Sequence, residues 1–141
     1  MKWFFDTSAL IPVFMEDHER HDPSLRAFIK ADKARGCCGA HSLAEVYATL
    51  TRLPGRHRLS GDQVLLFLEN LRERLTLVAL DSEEYFALVK NAAALGIAGG
   101  VLYDALLAHC ALKAQAEIIY TWNVKHFLQF GSEIAHRVRT P

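Results

Sequence analysis

Residues 3–10, Trp3-Phe4-Phe5-Asp6-Thr7-Ser8-Ala9-Leu10, place a short aromatic run directly before an apolar segment. Trp3 to Phe5 has the composition of a buried strand. Ser8 to Asp17 then predicts an apolar helix whose Pro12 lies in the first turn, where proline is tolerated. The chain therefore begins with a strand followed by a helix, and Asp6 lies at the junction between them.

The alternation of strand and helix continues along the chain. Further strands are predicted at Gly36–His41, Leu75–Leu80 and Glu117–Thr121, with a short edge strand at Ala135–Arg139. Helices are predicted from Asp22 to Gly36, from Ser42 to Pro54, from Asp62 to Arg74, from Asp81 to Gly96 and from Val101 to Gln115. Strands separated by helices imply an α/β domain, with a parallel sheet of four to five strands and helices on both faces.

The composition is that of one ordinary globular domain. Its 141 residues are 51% apolar and 23% charged, which excludes disordered, collagen-like and coiled-coil chains. Residues 1–141 are therefore expected to form a single domain. The 16 basic and 16 acidic residues cancel, so no global field attracts nucleic acid. Binding to phosphate must come from a local basic patch or from a bound metal.

The cysteines favour a reducing compartment. Cys37, Cys38 and Cys110 are odd in number and two are adjacent, which gives neither a disulfide framework nor a CxxC metal site. A redox role for Cys37 and Cys38 stays open. The first charge after Met1-Lys2 comes too soon for a signal peptide, and no apolar run approaches the ~20 residues of a membrane span. These features predict a soluble cytoplasmic protein that does not bind membranes.

Four polar residues are expected at the carboxyl edge of the sheet, where α/β sheets bind their ligands. Asp6 follows the first strand, and Glu45 lies in the first turn of the helix after the second strand. Asp104 lies in the first turn of the helix before the fourth strand, and Asn123 follows that strand. Structural alternatives are an Asx turn at Asp6, a turn at Asn123 and a capping box Ser42-x-x-Glu45.

Asp104 has no obvious structural partner. No Lys or Arg occurs between Lys90 and Lys113, although the surrounding helix is apolar on nearly every side. A cation bound jointly by Asp104, Asp6 and Glu45 would supply that partner. These oxygen donors suit Mg²⁺ or Mn²⁺ rather than Zn²⁺.

Other polar residues have simpler interpretations. Asp81 also follows a strand, but Asp81-x-x-Glu84 is typical of a helix cap, and it lies far from the cleft if the third strand is at the sheet margin. His18 and His21 are interpreted as part of a solvated loop rather than as zinc ligands.

Several stretches together resemble the PIN-domain ribonucleases, and within them the VapC-type toxins of type II toxin–antitoxin modules. They are Phe5-Asp6-Thr7-Ser8-Ala9-Leu10, Leu43-Ala44-Glu45-Val46-Tyr47, Leu50-Thr51-Arg52-Leu53-Pro54, Gly100-Val101-Leu102-Tyr103-Asp104-Ala105-Leu106 and Thr121-Trp122-Asn123. The resemblance spans nearly the whole chain and implies a PIN domain with strand order 3-2-1-4-5. It also implies an acidic cleft that binds Mg²⁺ or Mn²⁺ and cuts RNA, with Asp6, Glu45 and Asp104 as the acidic set.

Asn123 departs from the family pattern, because many members have an acid there. An amide keeps an oxygen donor but removes one negative charge, so a second metal should bind more weakly. One-metal and two-metal mechanisms both stay open. Ser8 and Thr121 are expected to support the site. The resemblance also implies a homodimer and a small antitoxin whose C-terminal segment fills or blocks the cleft.

The predicted function is a metal-dependent endoribonuclease in which an ion held by the carboxylates activates a water. Candidate contacts to the RNA backbone are Arg52, Arg56, Arg58 and Lys125, although a charge run in a loop is commonly solvated surface. Alternatives are an RNA-processing PIN nuclease without an antitoxin and an inert metal-stabilised binding protein.

Two other α/β classes fit the sequence less well. A phosphoreceiver module needs an acidic pair after the first strand, where this chain has Asp6 alone. A phosphatase of the haloacid-dehalogenase type needs an Asp where Ser8 stands.

Overall fold

Five short parallel strands form one sheet in the computed structural model, which describes residues 1–141. They are β1 (Trp3–Phe5), β2 (Gly36–Gly39), β3 (Thr76–Val78), β4 (Ile118–Tyr120) and β5 (Val138–Arg139). Their order is β3-β2-β1-β4-β5, which confirms the order implied by the family resemblance. The central strand β1 pairs Phe5 with Cys38 on one side and with Tyr120 on the other.

Eight helices cover the two faces of the sheet. They are α1 (Thr7–Leu10), α2 (His21–Ile29), α3 (His41–Leu50), α4 (Gly61–Arg74), α5 (Ser82–Ala94), α6 (Val101–Lys113), α7 (Val124–Phe127) and α8 (Ser132–Ala135). None of them is both long and apolar enough to cross a membrane. The four-residue helices α7 and α8 were not predicted, because one turn is too short to show an apolar period.

The segment after β1 differs from the single helix predicted over Ser8–Asp17. It consists of α1 followed by a 3-10 turn at Ile11–Phe14. Pro12 has no amide hydrogen and cannot donate to the carbonyl of Ser8, so the regular helical ladder stops there. The shorter helix brings the chain round to α2, where the His21 ring nitrogen lies 2.7 Å from the Pro12 carbonyl oxygen. The interpretation of His21 as part of a solvated loop was therefore wrong.

The sheet is buried on both faces, which explains the lack of polar alternation in its strands. Phe4 and Cys37 belong to a core of 15 buried residues on one face, and Phe5 and Cys38 to a core of 14 on the other. The apolar helix α6 supplies several residues of the first core, as its sequence predicted. A side chain at Gly39 would clash with Leu107, so α6 packs directly on β2.

The third strand lies at the sheet margin, as the interpretation of Asp81 required. Asp81 caps α5: its carboxylate accepts from the Glu84 amide at 2.8 Å, and Glu84 accepts from the Asp81 amide at 2.9 Å. This residue is therefore part of a capping box rather than of the central cleft.

Candidate active site

Asp6 is the most buried ionisable carboxylate at the carboxyl edge, with 1% of its surface exposed. One carboxylate oxygen, Oδ2, accepts hydrogen bonds from the hydroxyls of Ser8 and Thr121, both at 2.7 Å. The other oxygen, Oδ1, is buried without any partner. The pKa of Asp6 is raised to about 6: burial raises it most, the hydrogen bonds from Ser8 and Thr121 lower it, and repulsion from Asp104 and Glu45 adds to the rise.

The two hydroxyls on Asp6 are themselves held by the backbone. The Trp122 amide donates to Ser8 Oγ at 2.9 Å, and the Asn123 amide donates to Thr121 Oγ1 at 2.9 Å. Each hydroxyl accepts from the chain after β4 and is free to donate its own proton to Asp6. The carboxylate is thus fixed with one oxygen hydrogen-bonded and the other unpartnered, an arrangement typical of a metal-ligating carboxylate held by outer hydrogen bonds.

Glu45 lies in the second turn of α3, because the helix begins at His41 rather than at Ser42. The residue before the helix is Ala40, which has no side-chain cap. The Ser42 hydroxyl lies 2.8 Å from the hydroxyl of Thr7 instead of closing a box with Glu45. The capping-box alternative for Glu45 was therefore wrong, and its carboxylate has no role in starting the helix.

The Glu45 carboxylate is directed by side chains at the carboxyl edge. Its Oε1 accepts from the Thr7 hydroxyl at 2.9 Å and lies 4.0 Å from Nε2 of His41. Burial raises the pKa of Glu45 above its usual value; Thr7 and His41 lower it, and Asp104 raises it. The carboxylates of Glu45 and Asp104 therefore lie within electrostatic range of each other.

Asp104 has a partner that the sequence did not reveal. Its Oδ2 lies 2.5 Å from Nδ1 of His126, and its side chain is only 14% exposed. The expectation that Asp104 lacks a partner within the chain was wrong, because it considered only Lys and Arg near in sequence. His126 comes from α7, a helix that the sequence pattern did not predict.

The three carboxylates form one electrostatic cluster, since both Glu45 and Asp104 raise the pKa of Asp6. No three or more His, Cys, Asp or Glu side chains in the structure lie close enough together to hold a metal ion as they stand. The cluster nevertheless fits a hard cation: its donors are oxygens, and the buried, unpartnered Oδ1 of Asp6 lacks a positive partner.

Asn123 lies at the same edge but differs from the acids in its surroundings. It is exposed and precedes α7, and its side chain makes no capping hydrogen bond. Its backbone N–H donates a hydrogen bond to the Thr121 hydroxyl. The side-chain oxygen is therefore free to bind a ligand.

The four predicted RNA-binding residues are all exposed. Arg58 donates to the Leu53 carbonyl at 3.1 Å. Arg56 lines an open groove of about 410 Å³ together with Glu16, Asp17 and other residues, none of them a predicted site residue. Lys125 lies on α7, next to His126.

Trp122 connects the site to the side chain of Arg20, which was not predicted as a site residue. Its ring lies under the guanidinium of Arg20, 4.6 Å from the ring centroid, and its indole nitrogen donates to the buried Ser24 hydroxyl at 3.0 Å. The same residue supplies the backbone amide that holds Ser8. The sequence carried no signal for this contact, because about a hundred residues separate Arg20 from Trp122.

Comparison with known proteins gives consistent matches. The family model described as "PIN domain" matches residues 3–128. The chain is similar to Ribonuclease VapC40 of Mycobacterium tuberculosis (strain CDC 1551 / Oshkosh), 33% identical over 114 residues and 81% of both chains. It is also similar to Ribonuclease VapC27 of Mycobacterium tuberculosis (strain ATCC 25618 / H37Rv), 36% identical over 114 residues, 80% of this chain and 79% of that one.

Two solved structures share the fold. One is VapC20 of Mycobacterium tuberculosis, described as a Sarcin-Ricin loop cleaving toxin, with a TM-score of 0.71, 12% identity and coverage of 89% of this chain and 92% of that chain. The other is VapBC2 from Rickettsia felis bound to a DNA fragment from their promoter, with a TM-score of 0.64, 17% identity and coverage of 99% and 98%.

Proposed function

The chain belongs to the PIN-domain family, and on this premise we propose that it is an endoribonuclease, the toxin of a toxin–antitoxin pair, that requires Mg²⁺ or Mn²⁺. The relatives at 33% and 36% identity are named ribonucleases. The observation that carries the proposal is the buried carboxylate of Asp6, with one oxygen hydrogen-bonded and the other unpartnered, within electrostatic range of Glu45 and Asp104. We propose that residues 1–141 form this nuclease domain as a whole.

Asp6, Glu45 and Asp104 would hold the divalent ion. When bound, the ion would activate the attacking water and offset charge on the cleaved phosphodiester. Asp6 Oδ1 is the proposed inner ligand, because it is buried with no other partner. Ser8 and Thr121 keep Oδ2 bonded and so fix the orientation of the carboxylate.

The remaining site residues set the charge of the cleft. Asn123 contributes a neutral oxygen where many family members have an acid, so we propose that one ion binds tightly and a second, if present, binds more weakly. Thr7 and His41 direct Glu45 toward the cluster and lower its pKa against the effect of burial. Three acids without an ion would repel RNA, so the metal also permits the substrate to approach.

Substrate and partners follow from the family. We propose that Arg52, Arg56, Arg58 and Lys125 contact the RNA backbone and supply the local positive charge that the neutral chain lacks overall. We propose an antitoxin partner, which the similarity to a VapBC2 structure supports, and a homodimer. Relief of growth arrest by a small protein encoded beside this one would identify the antitoxin.

The structure favours a nuclease over a phosphoreceiver module. In a phosphoreceiver, the phosphorylated Asp would follow the third strand near the sheet centre. Here β3 is an edge strand and Asp81 is engaged with Glu84 in a helix cap.

The test is cleavage of RNA by the purified chain with Mg²⁺ or Mn²⁺, with EDTA, and after Asp6→Asn or Asp104→Asn. A matched control is Asp62→Asn, which changes an exposed acid in the first turn of α4. We expect the parent chain and Asp62→Asn to cleave RNA when Mg²⁺ or Mn²⁺ is present. Neither should cleave in EDTA, and Asp6→Asn and Asp104→Asn should not cleave in either condition. Undiminished cleavage in EDTA or by Asp104→Asn would contradict the proposal.

A further inference from the structure

An aromatic pair lies at the rim of the candidate active site. The rings of His41 and Tyr103 are stacked, with centroids 5.2 Å apart and planes at 12°. Tyr103 directly precedes Asp104 on α6, and His41 lies one helical turn before Glu45 on α3. The pair therefore bridges the two helices that carry two of the three carboxylates.

The exposure of Tyr103 has no structural explanation. Its relative exposure is 50%, and neither Tyr103 nor His41 belongs to either of the two hydrophobic cores. His41 is stacked on one face of the Tyr103 ring, so the opposite face is the one available to a further ring. A flat, apolar surface is thus open to solvent beside a group of acids, and its position is fixed by the stack.

We propose that the open face of Tyr103, supported from behind by His41, stacks on one unpaired nucleobase of the RNA substrate. This inference rests on the proposed function and names the side chain that positions the substrate strand beside the bond that is cut. Proteins read single strands by stacking splayed bases on aromatic side chains, whereas bases in a duplex are stacked on each other and out of reach. Stacking is also independent of charge, and this chain has zero net charge to attract RNA.

The position of the platform places the base next to the cleaved bond. Asp104 follows Tyr103 on α6, and Glu45 lies one turn after His41 on α3. The carboxylates of Asp104 and Glu45 are close enough to repel each other. A nucleotide whose base lies on Tyr103 therefore has its phosphate near the carboxylate cluster. The platform would anchor the strand while the bound ion engages the phosphate.

The experiment measures binding without cleavage. Fluorescently labelled single-stranded RNA is titrated with the Asp6→Asn chain in Mg²⁺, alone and combined with Tyr103→Ala or Tyr103→Phe. We expect Tyr103→Ala to weaken binding about tenfold, and Tyr103→Phe to bind like its parent, because the ring and not the hydroxyl stacks. The matched control is Tyr85→Ala on α5, a ring of similar exposure at 44%, which should change nothing.

A series of RNA probes, each lacking one base but keeping its phosphate, locates the stacked base. At one position of the series, removal of the base should weaken binding by the parent about tenfold and abolish the difference between the parent and Tyr103→Ala. The same strand annealed into a duplex should bind both proteins equally. His41→Ala should weaken RNA binding less than Tyr103→Ala does. His41→Phe, which keeps an aromatic ring behind Tyr103, should bind RNA like the parent.

Several outcomes would overturn the inference. Equal binding by Tyr103→Ala and its parent, or an equal loss with Tyr103→Phe, would exclude a stacking ring. A Tyr103→Ala effect that persists on every abasic probe would also exclude it. If the inference alone is wrong, the chain with Asp6 intact still cleaves RNA in Mg²⁺. If that chain does not cleave RNA, the proposed function is wrong whatever Tyr103 binds.

Discussion

Nδ1 of His126 lies 2.5 Å from Oδ2 of Asp104, so the one-turn helix α7 holds a carboxylate of α6. The same helix begins directly after Asn123. The segment after β4 thus contacts the acidic cluster through the imidazole of His126. The imidazole contact restricts Asp104 to one orientation, as outer partners of metal ligands do.

Replacement of His126 by Ala should lower the affinity for Mn²⁺ by about tenfold, because Asp104 loses the group that orients it. His126→Gln should retain part of the affinity, since its amide can still donate to the carboxylate. Calorimetric titration of the purified proteins with Mn²⁺ measures the change. His136→Ala is the matched control, because His136 bonds only to a backbone carbonyl in its own helical turn. Unchanged or tighter Mn²⁺ binding by His126→Ala would contradict this role.

Replacement of Asp6 by Asn should stabilise the metal-free protein at neutral and higher pH. The pKa of Asp6 is raised from 3.8 to about 6 on folding, so the stability from its protonated form is present below the lower value and lost as pH rises through the higher one. The full difference corresponds to about 3 kcal/mol. In EDTA at about pH 8, Asp6→Asn should therefore melt about 5 °C or more above the parent.

The same comparison at about pH 4 is the control, because the folded parent is then protonated at Asp6 and the advantage of Asn should be nearly absent. Mg²⁺ should stabilise the parent more than Asp6→Asn. An equal gap in melting temperature at both pH values would show that burial of charge on Asp6 is not its cause.

Loss of the Thr121 hydroxyl should reduce cleavage while leaving the core packed. Thr121→Val keeps the volume but removes the 2.7 Å hydrogen bond to Asp6 Oδ2, and we expect a loss in rate of about ten- to a hundredfold. Thr121→Ser keeps the hydroxyl and should retain most activity. Initial cleavage rates at saturating Mg²⁺ measure the effect. A Val variant as active as the Ser variant would show that this bond does not orient Asp6.

Removal of basic side chains that contact phosphates should flatten the dependence of RNA binding on salt. Each contact to a single strand contributes about 0.7 to the slope of log affinity against log salt concentration. Lys125→Ala should lower the slope by about this amount, and Arg56→Ala combined with Arg58→Ala by about twice as much. Titrations over a range of salt give the slopes. A slope unchanged in the double variant would remove Arg56 and Arg58 from the interface.

The sequence predicted those features that depend on short segments. The aromatic run before Asp6, the capping pattern at Asp81 and the apolar length of α6 each determine a local structure, and all three are observed. The family resemblance supplied the strand order, which is confirmed. Elements of one turn, such as α7 and α8, were missed because they are shorter than any period that a pattern can show.

The local patterns of the chain predicted an α/β domain that alternates strands and helices, with three acids and an amide at the carboxyl edge of the sheet. Which side chains meet at that edge depends on the packing of the whole fold. It placed His126 on Asp104, Thr121 on Asp6 and His41 on Tyr103. The reason is physical: periodicity and caps record interactions between residues near in the chain. Contacts between distant residues depend on how the helices pack on the sheet, and no short segment encodes that packing.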